Sequence, residues 1–225
     1  MKCIAIIPAR IGSKSIKKKN LIKINGISII EKTIHSLKKN KFLSCIAVST
    51  DSKEIQKVAK KNNVWCEKLR PKNISGDKST ANDAVKFVIK AIKKKYDFIF
   101  EVHPTYFFRN HLDLYKCFKK VKKQKLRNII SVSKVSSCAH KDYQTSIKGN
   151  KIKFNKLPHT FNKFLISNTY EFNGYIQGSK YEDFLKYKCH FGSSKSSGFI
   201  EIKNKKTLLD LNDIQDLKIM RKIAT

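Results

Sequence analysis

The chain has 225 residues, 40% of them hydrophobic, which is adequate for one packed α/β core. No stretch approaches the roughly 18 apolar residues of a membrane span. The apolar start leads into a basic loop instead of the cleavage site of a signal peptide. The six cysteines lack the spacing of a zinc ribbon or a redox pair, which fits a reducing compartment. We therefore expect a cytoplasmic protein with no membrane partner.

The net charge of +32 raises the question of nucleic-acid binding. However, the lysines are spread along the whole chain, mostly on the polar sides of helical segments, and there is no arginine-rich tail. This distribution favours a solvated charged surface, so no nucleic-acid partner is expected. Each of the few arginines is a candidate for bidentate or planar contacts that lysine cannot make. They are Arg10, Arg70, Arg109, Arg127 and Arg221.

Strand-like and helical patterns alternate over the first 132 residues. Strands are predicted at residues 3–9, 43–50, 64–67, 98–102 and 129–132. Amphipathic helices are predicted at residues 27–39, 52–62, 79–95 and 110–125. This βαβ order indicates a mainly parallel sheet that is covered by helices on both faces. Ligands of such sheets bind at the carboxyl ends of the strands.

The alternation stops between about residue 138 and residue 195, where short polar and aromatic segments are typical of a β-rich excursion. A strand at 198–202 and a helix at 213–223 follow. The chain shows no internal repeat and no low-complexity linker. We therefore predict one domain, residues 1–225, with an inserted arm at about 138–195.

The strongest functional signal is the loop that follows the first strand, residues 8–20, which combines glycine, serine, arginine and several lysines. Inward-facing backbone N–H groups in such a loop form an anion nest, and the cations close it around a polyphosphate. The loop is not a Walker A motif, because Gly-x4-Gly-Lys-Ser/Thr is absent. From these residues alone, an ordinary basic turn remains the alternative.

Other strand ends also carry polar groups. Residues 49–52 are more simply interpreted as a helix cap than as catalytic groups. Arg70 precedes the third helix, and His103 follows the fourth strand, where it is either a structural or a functional residue. Asp210 and Asn212, two residues apart in extended chain, face the same side and offer oxygens to a hard cation such as magnesium. The alternative for this segment is an ordinary helix start with acidic residues.

Taken in order, these segments resemble the acylneuraminate (CMP-sialic acid) cytidylyltransferases, including the enzymes for legionaminic and pseudaminic acid. Residues 8–20 are similar to the family's Pro-Ala-Arg-Gly-Gly-Ser-Lys-x5-Asn, with Ile11 at one glycine. His103-Pro104-Thr105-x3-Arg109 stands where the family carries Gln-Pro-Thr-Ser-Pro-x-Arg. Residues 173–176 resemble Asn-Gly-Ala-Ile-Tyr, and residues 210–216 resemble Asp-Ile-Asp-x3-Asp. The resemblance spans nearly the whole chain.

The resemblance implies a doubly wound, Rossmann-like nucleotidyltransferase that forms a homodimer through the inserted arm. The implied reaction transfers CMP from CTP to the anomeric hydroxyl of a sialic-acid-like nine-carbon sugar, with Mg²⁺ as cofactor and release of pyrophosphate. Arg10, Lys19 and Asp210 are the implied catalytic residues. The implied contacts are Arg10, Gly12, Ser13, Lys14 and Lys19 to the phosphates; Asn20 and Arg70 to the ribose and base; His103, Lys141 and Asn173 to the sugar acid; and Asp210 and Asn212 to the metal.

The departures from the family pattern concern the sugar and metal sides. His103 replaces a glutamine, and Asn212 removes one negative charge from the metal site, which should weaken magnesium binding. Three alternatives therefore stay open. They are a nucleotidyltransferase with another acceptor, such as an eight-carbon Kdo sugar, a non-catalytic nucleotide-binding relative, and a basic nucleic-acid-binding protein.

Overall fold

The computed structural model describes residues 1–136, 139, 144–149, 151–154 and 169–225. The strands are β1 (Cys3–Pro8), β2 (Lys23–Ile24), β3 (Ile27–Ser28), β4 (Leu43–Ser49), β5 (Phe98–Val102), β6 (Asn128–Lys134), β7 (Thr145–Lys148), β8 (Lys151–Phe154), β9 (Tyr170–Lys180) and β10 (Ser197–Glu201). The α-helices are α1 (Ile29–Lys38), α2 (Lys53–Lys61), α3 (Ala81–Ile92), α4 (His111–Gln124), α5 (Tyr181–Tyr187) and α6 (Ile214–Ala224). Within the described residues, none of these helices has the length and hydrophobicity needed to span a bilayer.

Six strands form the central sheet in the order β10-β6-β9-β5-β1-β4. The strands β4, β1 and β5 pair in parallel, as do β6 and β10, whereas β9 is antiparallel to both of its neighbours. Residues 3–7 of β1 are all fully buried, as the continuous apolar run of a central parallel strand requires. The prediction of a mainly parallel sheet is confirmed.

Helices cover both faces of the sheet. On one face, alternate residues of β1 pack with α1, α2 and α4, represented by Ile34, Ile55 and Cys117. The remaining residues of β1 pack on the other face with α3 and α5, represented by Val88 and Phe184. This arrangement confirms the doubly wound α/β fold.

The predicted helices form, with shifted ends. Ile27 and Ser28 belong to the hairpin strand β3, and Ser28 then caps α1 in a capping box with Glu31. The third predicted helix ends at Ile92, because Lys93 takes a left-handed backbone conformation with φ of 51°. The strand predicted at 64–67 is reduced to a single parallel bridge between Ala47 and Trp65.

Residues 170–195 differ from the expected excursion. Strand β9 enters the middle of the central sheet between β5 and β6, and α5 packs beneath it. Gly178 permits this close approach, since a Cβ there would lie 2.7 Å from the carbonyl oxygen of Ile99. Within the described residues, the part outside the central sheet is the two-stranded hairpin β7–β8. Whether this hairpin acts as a dimerisation arm stays a prediction.

Candidate active site

The loops at the carboxyl ends of β1, β4 and β5 converge around two adjoining clefts. The first cleft has a volume of about 180 Å³ and is lined by Pro8, Arg10, Gly12, Ser13, Lys19, Asn20, His103, Pro104 and Thr105. The second cleft, of about 170 Å³, is lined by Pro8, Arg10, Arg70, Ser79, Thr80, Ala81 and His103. Arg10 and His103 line both clefts. The fold therefore brings together seven of the residues that the sequence singled out: Arg10, Gly12, Ser13, Lys19, Asn20, Arg70 and His103.

The first loop is fixed at both ends by polar contacts. The backbone N–H of Ile11 donates to the Asp51 carboxylate at 2.8 Å, so the end of β4 holds the loop that follows β1. The side-chain amide of Asn20 donates to the carbonyl of Arg10 at 2.9 Å, which closes the loop on itself. The other side-chain atom of Asn20, Oδ1, is buried without a partner and is free to accept from a ligand.

The same loop is attached to the segment before α6. The ammonium group of Lys19 donates to the carbonyls of Leu211 and Asn212 at 2.9 and 3.0 Å, and the hydroxyl of Ser15 also donates to Asn212. Burial lowers the pKa of Lys19, and the negative charge of Asp210 is the largest effect that opposes it. The predicted phosphate loop and the predicted metal segment are therefore neighbours, although Asp210 lies 191 positions after Lys19 in the sequence.

In the segment at 210–216, two acidic residues cap α6, and a third has a side-chain oxygen without a hydrogen-bond partner. Asp213 and Asp216 form the capping box of α6, which confirms the helix-start interpretation for these two. Asp210 makes no such contact, and its Oδ1 atom is buried without a hydrogen-bond partner. The amide nitrogen of Asn212 donates weakly to the Asp210 carbonyl at 3.4 Å, which leaves the side-chain oxygen of Asn212 available.

Two cations of the first loop share one carboxylate. The guanidinium of Arg10 donates to Asp77 at 3.0 Å and to the carbonyl of Gly76 at 2.9 Å. Lys14 lies 3.0 Å from the other oxygen of Asp77. The hydrogen bonds from Lys14 and Arg10 lower the pKa of Asp77. Asp77 thus marks a position where this loop accepts negatively charged oxygens.

Arg70 is buried in the wall of the second cleft. Its backbone N–H donates to Thr50 at 2.7 Å, and its guanidinium donates to the hydroxyl of Ser75 at 3.2 Å. Burial lowers the pKa of Arg70, with the charge of Asp51 opposing this effect. Because a single neutral hydroxyl is a weak partner for a guanidinium, Arg70 retains donors for a ligand in the cleft.

His103 follows β5, and Asn173 lies in β9, where its side chain faces β6. His103 lines the clefts, and its Nε2 atom is 2.7 Å from the carboxylate of Glu101. Asn173 lines neither cleft. Its side-chain oxygen accepts from the Ser131 hydroxyl at 2.6 Å and from the Tyr175 N–H at 3.2 Å. Its amide nitrogen is buried without a partner. Lys141 lies outside the described residues.

Two residues that position the site were not assigned a functional role from the sequence. The sequence offered Asp51 or Ser52 as the helix cap; Ser52 is the cap, and Asp51 holds the first loop. Arg109 is buried and donates to the carbonyls of His103 and Tyr175, while its guanidinium lies 4.3 Å from the Tyr175 ring centroid. The expectation that the few arginines serve planar contacts is confirmed here and at Arg127, which binds Asp183 through two nitrogens.

This chain is similar in sequence to known proteins of one family. The cytidylyltransferase family model matches residues 4–125, more than half of the chain. The pseudaminic acid cytidylyltransferase of Campylobacter jejuni is 35% identical over 95 residues, which cover 42% of this chain and 41% of that protein. The N-acylneuraminate cytidylyltransferase of Escherichia coli is 26% identical over 225 residues, which cover 97% of this chain and 51% of that protein. The matches thus span about half or less of these two relatives.

Among solved structures, a CMP:2-keto-3-deoxy-manno-octonic acid synthetase in complex with CTP aligns with a TM-score of 0.73. The alignment covers 99% of this chain and 98% of that chain at 12% sequence identity, so it demonstrates a shared fold. The family match includes the first loop, Arg70 and His103, all of which line the clefts. This chain therefore belongs to the cytidylyltransferase family, whose members are nucleotidyltransferase enzymes.

Proposed function

We propose that this protein transfers CMP from CTP to the anomeric hydroxyl of a sialic-acid-like nine-carbon sugar and releases pyrophosphate. The observation that carries the proposal is the junction between the first loop and the acidic segment before α6. There Lys19 joins the two, and Asp210 presents a buried oxygen without a partner. A cationic loop beside an unpartnered carboxylate oxygen suits a nucleotide with a magnesium-bound polyphosphate.

The acceptor class is inferred from the relatives. The two curated relatives described above are named for pseudaminic acid and for N-acylneuraminate. A third, from Legionella pneumophila, is named a CMP-N,N'-diacetyllegionaminic acid synthase and is 30% identical over 142 residues, 60% of each chain. All three names denote acidic sugars of the same kind, and we extend that class to this protein.

In the proposed reaction, the anomeric hydroxyl oxygen attacks the α-phosphorus of CTP in line. A new bond forms between that oxygen and phosphorus, the bond from phosphorus to the bridging oxygen breaks, pyrophosphate leaves with the electron pair, and the hydroxyl proton is released to water. Arg10, Lys14 and the N–H groups of the first loop would hold the triphosphate, with the Asp77 carboxylate giving way to phosphate oxygens. Fixed cations of this kind act by stabilising the charge that accumulates on oxygen. Arg70 and Asn20 would contact the nucleoside.

The residues fit a magnesium ion. The described residues contain no cluster of three histidine, cysteine or acidic side chains that would form an all-protein metal site. Mg²⁺ commonly takes only one or two protein carboxylates and completes its shell with water and substrate phosphates. The buried, unpartnered oxygen of Asp210 meets that need, and the side-chain oxygen of Asn212 would add a neutral ligand. When bound, the ion would offset the negative charge of the phosphates.

The homodimer is also part of the proposal. Large apolar side chains lie exposed around β9 and β10, and a shallow apolar cavity of about 350 Å³ opens among them. In addition, Ile147 and Ile152 of the hairpin are 77% and 61% exposed. An isolated two-stranded hairpin is marginal in water, so a second subunit would give it a packing partner. The exposed side chains that line the cavity are Tyr170, Phe191 and Phe199, and the exposed Phe172 packs against Phe191.

We infer a cytoplasmic location from the chemistry of the cysteines. Cys3, Cys45, Cys66, Cys117 and Cys189 are all free thiols among the described residues. Cys138 lies outside them. Free buried thiols are typical of proteins from reducing compartments.

The direct test is to incubate the protein with CTP, Mg²⁺ and a panel of nine-carbon and eight-carbon keto sugar acids and to measure pyrophosphate release. Release with a nine-carbon acid supports the proposal, whereas release only with an eight-carbon acid would assign a different acceptor. CTP that raises the melting temperature without any release would indicate a non-catalytic relative. Salt-sensitive retention of RNA with no effect of CTP on melting would favour the nucleic-acid alternative.

A further inference from the structure

A cavity of about 740 Å³ lies at the end of the sheet opposite the clefts. It opens where β5 begins and β9 ends, beside the last turn of α4 and the first turn of α5. The residues that line it include none of those that line either cleft. Phe98 in the cavity and His103 in the clefts lie at the two ends of β5, roughly 16 Å apart along an extended strand. A ligand in this cavity would therefore bind away from the nucleotide clefts.

Apolar side chains form a large part of the cavity lining. Most of them belong to the two core clusters, which cover opposite faces of the sheet and both reach this end of it. The apolar residues of the lining are Tyr96, Phe98, Val121, Leu126, Tyr181 and Leu185. A concave surface of this kind suits an apolar or aromatic body, and its volume lies within the range of about 300 to 1,000 Å³ that small-molecule sites have.

Four lysines add positive charge to this lining. They are Lys95, Lys122, Lys125 and Lys180. The first three are exposed, and their ammonium groups have no hydrogen-bond or ion-pair partner within the part of the chain that the structure describes. These charges are therefore available to a ligand.

The two carboxylates of the lining are engaged in other contacts. Asp97 accepts from the backbone N–H of Lys2 at 2.6 Å, and Glu182 pairs with Arg127 at 2.8 Å. Lys180 approaches the same oxygen of Glu182 only to 3.9 Å. Because the lysines outnumber the carboxylates and the carboxylates already have partners, the cavity attracts an anion.

The lysines of this lining do not simply reflect the lysine-rich composition of the chain. The apolar cavity of about 350 Å³ beside β10 has no lysine among the described residues that line it. Another cavity, of about 140 Å³, has Arg127 in its lining, and this arginine is already paired with Asp183. In contrast, the cavity at the start of β5 combines an apolar lining with unpaired cations.

We propose that this cavity binds a small amphipathic organic anion, which is an apolar or aromatic body that carries a phosphate or carboxylate group. The body packs against the apolar lining, where the half-buried Tyr181 offers a ring for stacking. The ammonium groups of Lys122 and Lys125 contact the anionic group as charge-assisted donors. A lysine acts as a point charge on a flexible stem, so either kind of anionic group is accepted. The inference does not depend on the proposed function, because the cavity shares no residue with the clefts.

The experiment uses three probes that separate the two parts of such a ligand. Naphthyl phosphate has both an aromatic body and an anionic group, inorganic phosphate has only the anionic group, and naphthol has only the body. Calorimetry should show that naphthyl phosphate binds about tenfold more tightly than either of the others, because only it uses both parts of the lining. Equal affinity of inorganic phosphate or of naphthol would overturn the inference.

A double variant tests whether the lysines of the cavity bind the anion. Lys122→Gln combined with Lys125→Asn removes two charges, and asparagine tolerates the left-handed conformation of residue 125, whose φ is 52°. We expect the affinity for naphthyl phosphate to fall by about three- to tenfold, as for two exposed charge contacts. Lys119→Gln combined with Lys123→Gln is the matched control, since it removes two charges from α4 outside the cavity. An equal loss of affinity in the two double variants would overturn the inference.

Further measurements locate the probe and test the other possible occupants. On addition of naphthyl phosphate, NMR should show shifts of the backbone amides around Tyr96 and Leu126, and shifts confined to the first loop would overturn the inference. Self-association of the wild-type protein in ultracentrifugation that only the cavity variant loses would assign the cavity to a second copy of this chain and overturn the inference. An acidic peptide with one phenylalanine that bound there more tightly than naphthyl phosphate would assign it to a protein partner and also overturn the inference. Pyrophosphate release should be unchanged in the cavity variant, so this inference and the proposed function fail separately.

Discussion

The first-loop side and the β5–β9 side of the clefts satisfy their polar groups in different ways. On the first-loop side, Arg10 and Lys14 share the exposed carboxylate of Asp77, and these contacts are open to exchange with a ligand. On the β5–β9 side, polar groups contact one another inside the protein, as Glu101 does with Gln177 and His103. On the first-loop side, a ligand anion can therefore replace Asp77 as the partner of Arg10 and Lys14. On the β5–β9 side, the contacts are internal and fixed.

Under the proposed function, the first-loop side would contact CTP and the β5–β9 side would contact the acceptor sugar. CTP is common to the family, and the first loop keeps nearly the whole family pattern. The acceptor differs among relatives, and the β5–β9 side carries His103 in place of a glutamine. The unpaired buried atoms Glu101 Oε2, Gln177 Oε1 and Asn173 Nδ2 also lie there. The departures from the family pattern thus include His103 on the β5–β9 side and Asn212 in the segment before α6.

The largest expected effect concerns Asp210, which belongs to the first-loop side through Lys19. Asp210→Asn keeps the shape of the side chain and removes its charge, so we expect the rate of pyrophosphate release to fall by about 10²- to 10³-fold. Asp213→Asn is the matched control, because asparagine also caps helices well and should leave α6 intact. A similar loss of rate in both variants would show that the acidic segment acts only through its net charge.

A smaller effect is expected from Arg10, which lines both clefts. Arg10→Ala should weaken CTP binding by about tenfold, as expected for a lost charge-assisted hydrogen bond, and calorimetry would measure it. Arg221→Ala removes an exposed arginine from the last turn of α6 and serves as the control. If Arg10→Ala bound CTP as tightly as the control Arg221→Ala does, the first loop would not be the phosphate site.

The same comparison shows which parts of the structure the sequence predicts. β1 was predictable because a central parallel strand is apolar on both faces, and the first loop because its residue types suit anions. β9 was not, because its inward residues include Gln177 and Ser179, which are buried only through contacts with distant residues. Glu101 was recognised as part of a strand, but its hydrogen-bond partner Gln177 lies 76 residues further along and gives no local signal.

The predicted metal segment, residues 210–216, provides a further test. Asn212→Asp would restore the second carboxylate of the family pattern, and added ligand charge increases affinity for a hard cation. We expect half-maximal activity at a several-fold lower Mg²⁺ concentration, measured by a magnesium titration at fixed CTP. The variant Asn204→Asp, in the loop after β10, adds the same charge away from the clefts and controls for the change in net charge. An unchanged magnesium requirement would mean that residue 212 does not contact the ion.

The smallest expected effect concerns the competition between the Asp77 carboxylate and the phosphates of CTP for Arg10 and Lys14. Because its carboxylate holds Arg10 and Lys14 before a ligand arrives, Asp77→Asn should free both cations and tighten CTP binding by about two- to fivefold. The gain should shrink at high salt, since these groups are exposed to solvent. Glu54→Gln removes the ion pair with Lys18, a lysine of the same loop that lines neither cleft, and is the matched control. If both variants bound CTP equally more tightly, the effect would come from the change in net charge alone. Weaker CTP binding in Asp77→Asn would mean that the carboxylate itself takes part in holding the nucleotide.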